Sequence, residues 1–476
     1  MIKSIFLSIS ALLFFQISLA QTQLKLPALV SDNMVLQQST EISIWGWAEV
    51  NNTVKISPSW TQAPVSVKVN NSGKWEASLN TPVAGGPYTI ALSSSNESIV
   101  LKNVMIGEVW LASGQSNMEM PIKGYRSEPI NGNNELILNS KNSNIRMFTV
   151  ARNSSKDPQE DCDGSWKISS PENTLDFSAV GYVFAQKLNR ALNVPIGIIH
   201  SSWGGTPVEA WTQKSALNSS VTEQEQSTFN YNRSSTKREQ DAPSQLFNGM
   251  IHPVLDYSIK GVIWYQGESN RNHPEVYQKT FPLMISNWRA LWKNDSLPFY
   301  YVQIAPYGRY SGEVNSALLR ESQLKTLDLL PHVGMAVTLD IGEYQSIHPA
   351  EKTKVGERLS YWALAKDYNI QGIGYSGPIY KSHKIDGEKI LVSFDHAPMG
   401  LSSYEQPLDQ FEIAGPDRVF YPGKATILKG GQVAVSAPQV KEPKAVRYGW
   451  SNYLKGTLYN TFGLPASSFR TDNWED

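Results

Sequence analysis

Four clusters of polar residues each follow directly on an apolar run. Gly114-Gln115-Ser116-Asn117 ends the run Val104 to Ala112. Ser201-Ser202-Trp203-Gly204-Gly205 follows Val194 to His200, and Gln266-Gly267-Glu268-Ser269-Asn270 follows Ile259 to Tyr265. Beyond Val333 to Leu339 come Asp340, Glu343, Gln345 and His348. A serine, a glycine pair, amide side chains and a histidine are the inventory for acyl transfer. A serine hydroxyl is a poor nucleophile at neutral pH, so an imidazole must take its proton as it attacks. Ser116 is the expected nucleophile and His348 the expected base. His200 and His252, near the same rim, are read as bonding core groups. The oxyanion formed by the attack needs fixed donors. The backbone N–H of Ser116, an N–H at Gly204 or Gly205, and an amide of Gln266 or Asn270 are the candidates. Glycine suits such a place because the backbone can approach without a Cβ in the way.

Positioning these groups requires a sheet. Apolar runs that end in small and polar residues read as buried strands emptying into turns. The runs above, with Phe299 to Ile304, alternate with helical patterns over Ser178 to Leu192, His273 to Trp292, Val314 to Leu330 and Glu351 to Tyr368. That alternation predicts a doubly wound α/β/α domain with a parallel sheet. Its chemistry belongs past the carboxyl ends of the strands, which is where the four clusters fall. Residues 24 to 100 alternate with period two between Asn- and Gly-rich turns, as in a small β-sandwich. Strand signals return after Gly377, with a hairpin at Asp386-Gly387. The expected division is a signal segment at 1–20, an N-terminal β domain at 21–102, the α/β/α domain at 103–376 and a C-terminal β region at 377–476. The tracts 123–163 and 215–245 read as long mixed connections, the second as an exposed helix, a lid or an insertion. Arg320 and Glu321 read as a structural ion pair.

Composition narrows the classes. A net charge of -1 argues against nucleic-acid or polybasic membrane partners. Lys3, the apolar stretch Ile5 to Ile17 and Ser18-Leu19-Ala20 predict a secretory signal cleaved before Gln21, hence an exported protein, periplasmic or secreted. No later apolar run is long enough for a spanning helix. The lone Cys162 excludes an internal disulfide and a Cys-rich zinc site. The 14 Trp and 21 Tyr suit β-domain cores or sugar-stacking faces.

On these stretches the chain resembles the sialate O-acetylesterase family of SGNH-type hydrolases. The carriers are GQSNM (114–118), SSWGGTPVEAW (201–211), WYQGESN (264–270) and SIHP (346–349), with LPALVSDNMVLQQ (26–38) and YGWSNY (448–453) extending the match along the chain. The resemblance implies an SGNH-like, flavodoxin-like α/β/α parallel-sheet domain between N-terminal and C-terminal β-sandwich-like regions. It implies Ser116 as nucleophile, His348 as base, and an oxyanion hole from the Gly204 region and the Gln266 to Asn270 turn. It implies removal of acetyl groups from an acetylated carbohydrate, sialic acids first, with no metal and no cofactor. Gln115, Trp203 and Glu268 are expected at the substrate. Many enzymes of this type carry an aspartate three residues before the histidine; here that position is Gln345. Asp340, Glu343 or the Gln345 side-chain oxygen can orient the imidazole, or a backbone carbonyl can do so in a Ser-His dyad, the favoured reading. Acetyl xylan and other polysaccharides are alternative acetyl donors. A glycan-binding protein with an inactive hydrolase core is the alternative from a different class.

Overall fold

The strand that ends beside Ser116 is longer than its apolar run. In the computed structural model, which describes residues 23–229, 232 and 237–474, it spans Glu97–Gly114 (β1). The expected signal segment lies outside the described residues. The first half of β1, ESIVLKN, has exposed side chains along much of its length; from Val104 on every residue is buried. That change matches two environments. The first half pairs antiparallel with Gly85–Ser94, and Met105 to Gly107 pair in parallel with Val35–Gln37. The second half is the central strand of a parallel sheet, covered on both faces. The division expected at 102/103 thus falls inside one continuous strand.

The other strands of this sheet are Asn142–Thr149 (β2), Trp166–Ser169 (β3), Ile196–Ser202 (β4), Gly261–Tyr265 (β5), Phe299–Val302 (β6) and Val333–Ala336 (β7). Their order is β3-β2-β4-β1-β5-β6-β7. All neighbours are parallel except the edge pair β2–β3. From β1 the chain builds one side of the sheet, then returns to build the other. The topological switch point, where α/β sheets open a crevice, is therefore the carboxyl end of β1 between β4 and β5. Strands β2 and β3 had no counterpart in the sequence reading. In β2 the buried run Ile145 to Phe148 is interrupted by Arg146, whose guanidinium bonds Ser143 O, Asn33 and Asn103.

The helices follow the apolar periodicity. Ala179–Leu192 (α2) starts at Ser178, whose Oγ accepts from Gly181 N at 3.0 Å. Pro274–Leu291 (α3), Ser316–Leu329 (α4) and Lys352–Lys366 (α5) follow, and a single turn, Ser116–Glu119 (α1), precedes them. α2 and α5 share one buried core with Trp110, Ile198 and Ile263. On the opposite face Trp264 of β5 packs against Trp211, Phe281 and Trp288. Each such aromatic contributes roughly 2–3 kcal/mol by leaving water.

Two antiparallel four-stranded sheets and a two-stranded one form the C-terminal region, one of the larger sheets opening with the hairpin around Gly387, at φ +61°. Arg320 fastens this region to α4. Its fully buried guanidinium donates to Gly449 O at 3.0 Å and Ser451 O at 2.7 Å. Glu321 pairs with Arg470 at 2.9 Å. The two residues thus bond across an interface and not to each other as expected, because α4 points them toward different partners.

Candidate active site

Ser116 is presented by a turn that only glycine permits. Gly114 has φ +137°, and a Cβ there would lie 2.2 Å from Tyr265 O of the neighbouring strand. The chain turns sharply past β5 and Ser116 becomes the first residue of α1. Its N–H is one of the first-turn groups that no helical carbonyl can satisfy. His348 arrives from the loop between β7 and α5. Its Nε2 lies 2.8 Å from Ser116 Oγ. The two residues are 232 positions apart in sequence.

The ring's other nitrogen, Nδ1, lies 2.8 Å from Glu128 Oε2. This carboxylate comes from the tract 123–163, read from sequence only as a connection. The expected orienting groups lie elsewhere. Asp340 is buried in a two-pronged ion pair with Arg358, at 2.7 Å for each bond. Glu343 accepts from Ala350 N at 2.7 Å, and Gln345 is exposed. The favoured Ser-His dyad with a backbone carbonyl is also replaced, since a carboxylate holds Nδ1. The Glu128 loop is set by Gly124, where a Cβ would lie 2.5 Å from Glu128 O, and by Asn131 N bonding Ala350 O at 3.0 Å. Ser346 Oγ donates to Glu128 Oε1 at 3.2 Å and accepts from His348 N at 3.1 Å, tying acid to base. The only sequence signal for Glu128 was a lone carboxylate between the turn residues Gly124 and Pro129.

Burial pulls the His348 pKa below its ordinary value, and the bond to Glu128 offsets part of that fall. Tyr125 packs edge-on against the imidazole, centroids 5.3 Å apart, and donates to Ser116 O at 3.2 Å. The other rim histidine, His200, is buried with Nε2 2.5 Å from Ser202 Oγ, and burial lowers its pKa to about 4. His252 Nδ1 meets Gln159 O at 2.7 Å. Neither bonds Ser116.

The expected oxyanion donors divide. Gly204 is so close to the nucleophile that a Cβ would lie 3.2 Å from Ser116 Cβ, but its N–H already donates to Glu119 Oε2 at 2.9 Å. Glu119 is held in turn by Arg152 at 2.6 Å, and Arg152 lies over the Trp203 ring. Gly205, at φ +75°, gives its carbonyl to Arg238. Gln266 is fully buried, and its Nε2 donates to Thr206 O and Asn270 Oδ1. Both amide hydrogens are spent inside the fold, so Gln266 positions Asn270 and does not face the carbonyl. Asn270 Nδ2 bonds Glu209 with one hydrogen, leaving its second. Gln115, expected at the substrate, has Oε1 accepting from Gly267 N at 3.2 Å and Ser269 N at 3.3 Å. Those bonds use its side-chain oxygen, so its Nε2 hydrogens are not spent on them. Glu268, also expected at the substrate, is buried behind the nucleophile turn and accepts from Asn117 Nδ2 at 2.6 Å. No group of His, Cys, Asp and Glu among the described residues could hold a metal ion.

Known proteins resemble this chain over most of its length. The family of carbohydrate esterases described as sialic acid-specific acetylesterase matches residues 106–364. The chain is 29% identical to sialate O-acetylesterase of Pongo abelii over 92% of this chain and 91% of that protein. It is 30% identical to sialate O-acetylesterase of Homo sapiens over 77% of this chain and 75% of that protein. A solved carbohydrate acetylesterase from Xanthomonas citri aligns with a TM-score of 0.86 and 36% identity, covering 95% of this chain and 100% of that one. A match over more than half of the chain, on the segments that carry Ser116 and His348, makes the protein a carbohydrate acetylesterase of the sialic acid-specific acetylesterase family.

Proposed function

We propose that the protein removes O-acetyl groups from sialic acids, in an exported compartment, through an acetyl-serine intermediate. Ser116 Oγ attacks the ester carbonyl while His348 Nε2 takes its proton. Glu128 keeps the proton of the neutral ring on Nδ1 and stabilises the imidazolium. The oxyanion is met by the Ser116 N–H, with Gln115 Nε2 and the second Asn270 hydrogen as side-chain donors. His348 returns the proton to the departing sugar hydroxyl. Water, deprotonated by the same nitrogen, then releases acetate and restores the serine. Trp203 and Arg152 line the approach.

The observation that carries this reading is the chain Ser116 Oγ, His348 Nε2, His348 Nδ1, Glu128 at the switch point. It also speaks against an inactive binding protein, an alternative motivated by the missing acid and by the two β regions, because Glu128 supplies the acid. The test is acetate release from acetylated sialic acids and acetylated xylo-oligosaccharides by wild type and Ser116→Ala. Faster release from the sialic acids, lost in the variant, is expected. A preference for the xylo-oligosaccharides would move the substrate to plant polysaccharides, and full activity in Ser116→Ala would end the assignment. Cleavage before Gln21 on expression with a secretion apparatus, read by mass spectrometry, tests export.

A further inference from the structure

Behind the nucleophile turn lies a closed polar cluster that the acetyl-transfer steps leave unused. Lys352, the first residue of α5, is 1% exposed, and its Nζ donates to Asn117 Oδ1 and to Pro349 O, each at 2.7 Å. Asn117 is wholly buried, and its Nδ2 donates to Glu268 Oε1 at 2.6 Å and Ile347 O at 3.1 Å. Asn117 is the residue after Ser116. Ile347 and Pro349 are the residues on either side of His348. Every bond made by this ammonium and this amide therefore lands beside the nucleophile, beside the base, or on the turn after β5. Burying an ammonium costs several kcal/mol before any compensation, and an apolar side chain of similar length would fill the space without that cost.

We propose that Lys352 is a positioning residue: acting through Asn117 and Pro349, it ties the Ser116 turn to the His348 loop and holds hydroxyl and imidazole in hydrogen-bonding register. This rests on the catalytic reading above. Ser116 and His348 come from segments that share no backbone pairing of their own, so their 2.8 Å contact needs a cross-tie. A misplacement of about 1 Å can cost about 100-fold in rate. The charge acts on the imidazole as well. The charged groups facing His348 are Glu128, Glu119 and Lys352, and of these Lys352 lowers its pKa while the carboxylates raise it. Those facing Lys352 are Glu268, Glu343 and Glu128, with the Tyr265 ring 6.0 Å away; burial lowers the amine to about 7.

The experiment compares wild type, Lys352→Met, Asn117→Ala and the double variant on a chromogenic acetyl ester, with active sites counted by a serine-directed fluorophosphonate. Ser116→Ala is the control. Lys352→Met is expected to lose about 10- to 100-fold in kcat per titrated site with KM within about twofold. Its acid limb in kcat/KM should move upward in pH, because a positive neighbour of the imidazole is gone. Asn117→Ala should lose kcat similarly, and the double variant should be little worse than the worse single one, the mark of one shared tie. If Lys352→Met does not fold, Asn117→Ala carries the test through the same split of kcat from KM. Unchanged kcat per titrated site in the folded variants, with lower stability alone, would overturn the positioning role and leave the esterase reading standing. Wild-type activity matched by Ser116→Ala would overturn both.

Discussion

Two acidic residues near His348 along the chain or in space, Glu128 and Asp340, have parted company. Glu128 sits on a surface loop, its side chain 28% exposed, with the His348 imidazole as its partner. Asp340 sits at the exit of β7, its side chain 6% exposed, clamped on both oxygens by Arg358. By sequence Asp340 is the nearer and follows a strand that leads to the rim. In space it is committed to α5 before the imidazole can compete. A guanidinium that donates two parallel bonds outbids a neutral ring for a carboxylate. What decides an acid's task is the partner that the fold places first, and nearness along the chain is a poor guide to it.

The comparison can be broken or sharpened by substitution. His348→Ala should have the largest effect, a fall in kcat on the order of 10⁵- to 10⁶-fold, as when a nucleophile–base unit loses either member. The check is acetate release with folding followed by circular dichroism. Glu128→Gln should come next, up to about 10⁴-fold in kcat, the scale of losing the orienting acid of a Ser-His-acid unit, with little change in denaturation midpoint because the pair is partly exposed.

The pH profile separates the two acids. The base must be neutral, so activity is lost as pH falls through the His348 pKa, which burial holds below the ordinary 6.5. Glu128 raises that pKa, so Glu128→Gln should move the acid limb of kcat/KM to lower pH. Asp340→Asn should leave the limb where it is. Its effect should be on stability, a loss of about 3–5 kcal/mol from breaking a buried pair, measured by urea denaturation, with kcat of the folded fraction preserved. An Asp340→Asn enzyme that folds normally but turns over as slowly as Glu128→Gln would dissolve the distinction. Gln345→Ala, at the position where many enzymes of this type carry the acid, should do least: stability within about 0.5 kcal/mol, as for ordinary surface changes, and unchanged kcat.

Much of the fold was legible because it rests on short-range periodicity. The apolar runs before Ser116, Ser201 and Gln266 are buried, and helices α2 and α3 carry a buried apolar stripe and, in α2, a serine cap. Strand β2 was not legible, because Arg146 breaks its apolar pattern and finds its partners, Asn33 and Asn103, in a distant segment. The Glu119–Arg152 pair over Gly204 was equally hidden, since it joins α1 to the segment after β2.

By itself the sequence determined the strand-end clusters, and with them the serine and the histidine, because a nucleophile needs a turn and a turn needs glycine and small polar residues in a fixed local order. Which carboxylate bonds the His348 ring, which amides spend their hydrogens inside the fold, and which side chains join the Ser116 turn to the His348 loop were decided only by tertiary structure. Each of those is a competition for a few lone pairs and protons among groups hundreds of residues apart, and distance in space, not order along the chain, settles who wins.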